Sequence, residues 1–161
     1  MKMTVIGCGY LGATHAACMA ELGHDVLGVD VDAAKTAALA AGETPFFEPG
    51  LDDVLRRNIA AGRLRFTTDT AEAARLARVH FLCVGTPQQP TSGAADLTAL
   101  RTAVRALVGH LRGHHLVVGK STVPVGTGDE VERVMRQTRP DAEFAVVSNP
   151  EFLREGAAIQ D

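Results

Sequence analysis

The residues best suited to chemistry begin almost at the start of the chain, with Gly7-Cys8-Gly9-Tyr10-Leu11-Gly12, a G-x-G-x-x-G pattern. In such a turn the first glycine permits a tight bend and the second lets the backbone approach a pyrophosphate. The third allows a helix to pack closely on a strand. Free N–H groups and the positive dipole end of the helix that follows then favour phosphate. Asp30 closes the next apolar run, Val26-Leu27-Gly28-Val29, 18 residues beyond Gly12. A carboxylate there accepts hydrogen bonds from an adenosine ribose and repels a 2′-phosphate. Together these residues predict a dinucleotide site for NAD rather than NADP, because residue 31 is valine and no arginine stands at the strand end. The competing reading is of glycines that merely pack a flavodoxin-like sheet. Lys35 reads either as a contact to the adenosine end or as a solvated helix lysine.

Other reactive side chains are scattered. Cys8, Cys18 and Cys83 show no C-x-x-C spacing, and their odd number argues against a disulfide framework or a zinc site. Cys8 lies inside the glycine turn, Cys18 in a run of small residues and Cys83 in an apolar run, so all three read as packing residues, with a reactive thiol as the alternative for Cys83 near the carboxyl end of its run. The six histidines form no H-E-x-x-H pair, and His114-His115 reads as a turn rather than a ligand pair. No metal is expected.

Elements that position the turn follow from apolar spacing. Short apolar runs occur at Met3–Ile6, Asp25–Val29, Leu64–Thr67, Val79–Val84, His115–Gly119 and Phe144–Val147. Between them lie stretches of helical spacing, clearest from Leu97 to Leu111 with Asp96 as N-cap. This alternation predicts βαβ units: an α/β, Rossmann-type, doubly wound and mostly parallel sheet with helices on both faces. Two loops are longer than connection requires, Gly42–Gly50, which leads into a helix from Leu51 to about Ala61, and Gly85–Ala95. Long loops at the carboxyl ends of strands are where open α/β folds bind ligands.

At 161 residues, with 46% hydrophobic and 22% charged residues, the chain has the length of one domain able to bury a core. A net charge of −3 carries no basic footprint, so nucleic acid is not an expected partner. No run reaches the roughly 18–20 apolar residues of a membrane span, and the start lacks a signal-peptide pattern. A cytoplasmic location is expected.

Four further segments narrow the reading: Pro45-Phe46-Phe47-Glu48-Pro49-Gly50-Leu51, Val84-Gly85-Thr86-Pro87, Lys120-Ser121-Thr122-Val123-Pro124-Val125-Gly126-Thr127 and Asn149-Pro150-Glu151-Phe152-Leu153-Arg154-Glu155-Gly156. In this order they resemble the UDP-glucose/GDP-mannose dehydrogenase family along the whole chain. Members oxidise the C6 alcohol of a nucleotide sugar to a carboxylate in two NAD-dependent steps. The resemblance implies that residues 1–161 are the NAD-binding domain. It implies that Gly7, Gly9, Tyr10, Leu11 and Gly12 line the cofactor turn and that Asp30 and Lys35 hold the adenosine side. Thr86 and Thr122 would line the nicotinamide side, and Glu151, Phe152, Leu153, Arg154 and Glu155 the loop that meets both sugar and cofactor. Thr122 and Glu155 would be catalytic, Glu155 as general base.

Physical chemistry supports those assignments. Thr86 and Thr122 are expected at strand ends, with hydroxyls in the crevice beyond the sheet. A threonine hydroxyl orients a water or substrate oxygen but takes up no proton at neutral pH. Glu155 can, if partial burial raises its pKa. In the family a cysteine thiolate traps the aldehyde, and the thioester formed on its oxidation is hydrolysed by an activated water, the step Glu155 would serve.

Structural alternatives stand beside each role. Thr86 and Thr122 have a secondary reading as turn hydroxyls, and Glu151 and Glu155 as one solvent-facing helical turn. Arg154 is expected to pair with one of these glutamates or with a substrate phosphate. Phe46 and Phe47 are expected to pack their loop against the sheet, with stacking on a base as the alternative, and Tyr10 to cover the glycine turn. The resemblance places the family's catalytic cysteine, lysine, asparagine and aspartate beyond Asp161. The central dimerisation helix of a homodimer and the UDP-sugar-binding domain would lie there too. This chain is therefore expected to bind NAD without full turnover. The Phe-Phe-Glu-Pro-Gly-Leu and Asn-Pro-Glu-Phe-Leu-Arg-Glu-Gly forms lean toward UDP-glucose; GDP-mannose and UDP-N-acetylmannosamine stay open. The reading from another class is a stand-alone NAD-binding module without catalysis.

Overall fold

The computed structural model describes all residues from Met1 to Asp161. Six strands alternate with six helices: β1 (Lys2–Ile6), α1 (Tyr10–Glu21), β2 (Asp25–Val29), α2 (Ala33–Ala40), α3 (Leu51–Ala60) and β3 (Leu64–Thr67) form the first half. The second half comprises α4 (Thr70–Leu76), β4 (Val79–Leu82), α5 (Thr98–Val108), β5 (His114–Gly119), α6 (Thr127–Thr138) and β6 (Glu143–Ser148). The strands form one sheet in the order β3-β2-β1-β4-β5-β6. Every pairing in it is parallel, so the expected "mostly" becomes "all". The order reverses between β1 and β4, the switch point at which doubly wound sheets open a crevice.

Strand alternation divides the apolar residues into two cores. Met3, Val5 and Val26 face one core with α1, Leu39 of α2 and Leu51, Val54 and Leu55 of α3. Ile6, Leu27 and Val29 face the other with α4, α5 and α6. The buried face of α1 is Ala13, Ala16, Ala17 and Ala20, all fully buried. Small side chains let this helix lie close to the sheet, which brings its first turn against the ends of β1 and β4.

Two local expectations shift. Asp96 is not the N-cap of α5, because the helix opens at Thr98 and ends at Val108 with Leu97 as its N-cap; Asp96 stands one residue earlier and accepts from the Thr98 amide at 2.9 Å. Leu111 continues the apolar spacing because it is buried beyond the helix end, not because it is helical. His114 and His115 begin β5 rather than forming a turn; the turn falls at Gly113, with φ +74°.

His115 and His80, both buried, sit on neighbouring strands with Nδ1 of His115 2.9 Å from Nε2 of His80. His80 Nδ1 lies 2.7 Å from the Thr4 hydroxyl, and the Arg78 guanidinium lies 2.7 Å from His115 Nε2. Arginine can only donate. Nε2 of His115 therefore accepts, its Nδ1–H donates to His80, and the Nδ1–H of His80 donates to Thr4. Burial, with the neighbouring His115 and Arg78, pushes His80 down to about 3; burial and Arg78 push His115 down to about 4. Both rings are neutral at physiological pH and satisfied by each other.

Candidate functional site

The three turn glycines have different reasons to be glycine. Gly7 has φ +91°, and a Cβ there would lie 2.7 Å from the Val84 backbone. A Cβ on Gly12 would lie 1.8 Å from the Gly7 carbonyl oxygen. Gly9, by contrast, is exposed and a Cβ on it would meet nothing within 4 Å. Packing demands the first and third glycines, whereas the second keeps a surface open. No side chain caps the start of α1 at Gly9. Its first-turn N–H groups are thus left for an anion.

Asp30 follows β2 and is 8% exposed. Its Oδ2 accepts from the Cys8 amide at 2.8 Å and the Lys35 ammonium at 3.0 Å, and its Oδ1 from the Asp32 amide at 3.0 Å. Burial alone would raise its pKa, but the Asp32 and Cys8 amides and the Lys35 ammonium outweigh burial and lower it. Asp30 is therefore an anion that ties the glycine turn to β2. A carboxylate offers about four acceptor positions, so one remains for a ribose hydroxyl. Lys35 is not a solvated helix lysine: its ammonium is partnered with Asp30 and partly buried, beside the expected adenosine position. An open second glycine, an uncapped helix start and an ionised aspartate with a spare acceptor position fit a dinucleotide.

The three cysteines sit where burial disfavours the thiolate. Burial pushes the Cys8 thiol far up and Cys83 up to about 12, and burial also raises Cys18, which is half-buried. No group of three or more metal-ligating side chains is assembled.

Tyr10 does more than cover the turn. Its hydroxyl donates to Glu48, which also accepts from the Gly156 amide at 2.8 Å and the Ala158 amide at 2.9 Å. Its ring packs on Phe46 with centroids 5.0 Å apart. Phe46 therefore anchors its loop as expected. Phe47 does not: it is 84% exposed, because adjacent residues of this loop point to opposite sides.

The substrate-side residues differ more from expectation. Thr86 lies four residues beyond β4 and Thr122 three beyond β5, so neither ends a strand. They are nevertheless brought together, the Thr86 hydroxyl donating to the Thr122 carbonyl at 2.7 Å. That bond uses the hydroxyl of Thr86, whereas the Thr122 side chain is exposed and makes no hydrogen bond. Residues 149–155 are irregular, so Glu151 and Glu155 do not share a helical turn. Glu151 turns back to accept from the Leu153 amide. Glu155 is exposed rather than partly buried. Arg154 pairs with neither glutamate but with Asp161, at 2.6 Å. Phe152 is 86% exposed, Leu153 half-buried.

Three polar contacts escaped sequence reasoning. Glu48 was visible only as the sole charged residue in an aromatic and proline-rich segment, a signal of a buried carboxylate that spacing alone does not resolve. Ser121 donates to the Val84 carbonyl at 2.7 Å, joining the ends of β4 and β5. The Lys120 ammonium lies 3.3 Å from the Asn149 side-chain oxygen, joining β5 to the last loop.

Residues 1–161 match the family model described as the UDP-glucose/GDP-mannose dehydrogenase family, NAD binding domain. The chain is 53% identical over 161 residues to a UDP-glucose 6-dehydrogenase of Rhizobium meliloti, covering 100% of this chain and 37% of that protein. It is 44% identical to UDP-glucose 6-dehydrogenase TuaD of Bacillus subtilis, covering 99% of this chain and 35% of that one. Among solved structures, a ternary complex of GDP-mannose dehydrogenase from Pseudomonas aeruginosa superposes with TM-score 0.96 at 38% identity, over all of this chain and 38% of that one. A UDP-glucose dehydrogenase from Pyrobaculum islandicum gives 0.94 at 42% identity, over 99% and 38%. The chain thus spans well under half the length of the relatives it matches.

Proposed function

From the premise that this chain belongs to the UDP-glucose/GDP-mannose dehydrogenase family and matches its NAD-binding domain, we propose that it serves a UDP-glucose 6-dehydrogenase. The reaction is oxidation of the C6 alcohol of UDP-glucose to UDP-glucuronate in two NAD-dependent steps. The 53% identity to a protein of that name over the full chain carries this reading. When bound, NAD supplies the hydride acceptor for both oxidations.

The chain's own residues have divided tasks. Gly9 and the first turn of α1 hold the pyrophosphate, with Tyr10 and Leu11 beside it and Gly7 and Gly12 keeping the turn compact. Asp30, fixed by Cys8 and Lys35, accepts from the adenosine ribose and disfavours a 2′-phosphate. Thr86 orders the Thr122 backbone so that the free Thr122 hydroxyl can orient an oxygen. Glu151 to Glu155 form the substrate-side loop, and Glu155 takes the proton of the hydrolytic water once a covering surface excludes solvent from it. None of the cysteines present is a thiolate, so this chain is assigned cofactor binding and positioning, without completing turnover. The homodimer and the sugar-binding domain of the parent enzyme belong to the same proposal.

Calorimetric titration with NAD and NADP tests the cofactor assignment; tighter NADP binding overturns the role of Asp30. NADH production from UDP-glucose by residues 1–161 alone overturns the division of labour. GDP-mannose is the second reading, because the Pseudomonas GDP-mannose dehydrogenase superposes as closely as the Pyrobaculum enzyme. Turnover of the full-length gene product with UDP-glucose, GDP-mannose and UDP-N-acetylmannosamine in parallel decides between them.

A further inference from the structure

Glu48 is a buried carboxylate, 6% exposed, that the cofactor and substrate-side roles above leave unused. It joins three segments far apart in sequence. Its Oε2 accepts from the Tyr10 hydroxyl and from the Gly156 amide at 2.8 Å; its Oε1 accepts from the Ala158 amide at 2.9 Å. Tyr10 is the first residue of α1, adjacent to Gly9 of the phosphate turn. Gly156 follows Glu155 directly.

The other hydrogen bonds of residues 151–161 are local. Glu151 accepts from Leu153, Arg154 pairs with Asp161, and the Ala157 and Gln160 amides donate to Arg154 and Ala157. These bonds shape the loop but do not attach it to the domain. Polar attachment comes from Glu48 and, through the second bond of the Gly156 amide at 3.1 Å, from Tyr10. Ala158 and Ile159 add an apolar foothold against the core beside α1.

We infer that Glu48 is a positioning residue, clasping the backbone just after Glu155 to the first residue of the phosphate-turn helix. The clasp sets where Glu155 stands relative to the cofactor turn, without Glu48 touching cofactor or substrate. In its functional sense this inference rests on the dehydrogenase reading; the clasp itself does not.

Glu48→Gln tests it with little change of volume. The substitution replaces one acceptor oxygen by an NH2 group, so at least one amide donor faces another donor and loses its bond. Amide hydrogen exchange of residues 1–161 without cofactor is the first readout. The Gly156 and Ala158 amides should exchange about tenfold faster or more, with Thr4 and Val5 of β1 unchanged, as a local opening requires. Equal acceleration in β1 makes Glu48 a general stability element and overturns the inference, as does unchanged exchange at both loop amides. Should Glu48→Gln fail to fold, Tyr10→Phe decides instead, with faster exchange expected at Gly156; no change there overturns the clasp.

The second readout is turnover of the full-length gene product carrying Glu48→Gln. A misplaced base should lower kcat about tenfold or more while KM for NAD stays within about twofold; a raised KM with unchanged kcat overturns the positioning role. NAD titration of the unsubstituted chain keeps the two claims separate. Failure to bind NAD removes the dehydrogenase reading, whereas the exchange result still decides whether the clasp exists.

Discussion

The two ends of the crevice are built on opposite terms. At the adenosine end every group is held by the chain itself: Asp30 is buried with three donors on it, and Gly7 and Gly12 are in contact with backbone. At the opposite end Thr122, Phe152 and Glu155 stand exposed, and the loop that carries two of them is clasped by Glu48 and Tyr10, with Lys120 on Asn149 at its start and Ala158 and Ile159 against the core. A cofactor bound by every turnover benefits from a preformed, rigid seat. The last loop, proposed to meet both cofactor and sugar, leaves Phe152 and Glu155 outward. On the proposed roles, stability and chemistry lie in different halves, and substitutions should separate them.

The largest effect should come from Gly12→Ala, whose Cβ would sit 1.8 Å from the Gly7 carbonyl oxygen. Overpacking against backbone should cost about 3 kcal/mol, read as a lower urea midpoint. Gly9→Ala sharpens the comparison: with nothing near its Cβ it should keep the midpoint but weaken NAD binding about tenfold. Equal effects at both glycines would show that the turn is a packing feature alone.

Asp30→Ala comes next. It leaves the buried Cys8 amide and Lys35 without their acceptor, a loss of about 2 kcal/mol, and it should narrow the preference for NAD over NADP. Urea unfolding and paired titrations measure both; stability lost without any change in cofactor preference would assign Asp30 a structural role only.

A pH titration probes the sheet between these ends. The folded-state pKa of His80, about 3, lies below the unfolded value of about 6.5. Between the two the unfolded chain takes a proton that the folded chain refuses, so stability falls as pH drops. The slope from His80 is at most about 1.4 kcal/mol per pH unit. His115 and His15, each pushed down to about 4, add slopes of the same sign, so denaturation midpoints should fall from pH 7 to 4 and His80→Gln should reduce the slope without abolishing it.

The smallest effects belong to the exposed end. Thr86→Val loses the bond to the Thr122 carbonyl, about 0.5 kcal/mol at an exposed site, and Thr122→Ala should change stability by less than about 0.5 kcal/mol. A larger loss at Thr122 would mean that this end is also built for stability.

Local patterns carried most of the fold. Strand positions were legible to within a residue or two, because a parallel sheet buried on both faces demands continuous apolar runs. The glycine turn and Asp30 were legible because their spacing follows from the geometry of a strand, a tight turn and a helix. Thr86 and Thr122 were legible as a pair through the resemblance, though not that one hydroxyl would be used on the other's backbone. His114-His115 misled because two polar residues before an apolar run look like a turn; only the neighbouring strands make them acceptable in a sheet, His80 of β4 for buried His115 and Glu143 of β6 for exposed His114.

What the sequence determined by itself is the order of elements, the phosphate turn and the kind of cofactor, since each depends on residues close together in the chain. What only the tertiary structure decided is which charges meet. Lys35 closes on Asp30, Arg154 on Asp161, and Glu48 on Tyr10 and Gly156. A carboxylate's partner depends on where the fold buries it and which donors lie within about 3 Å. The contact from Glu48 to Gly156, 108 residues apart, is set by how α1 and the last loop pack together rather than by any spacing along the chain.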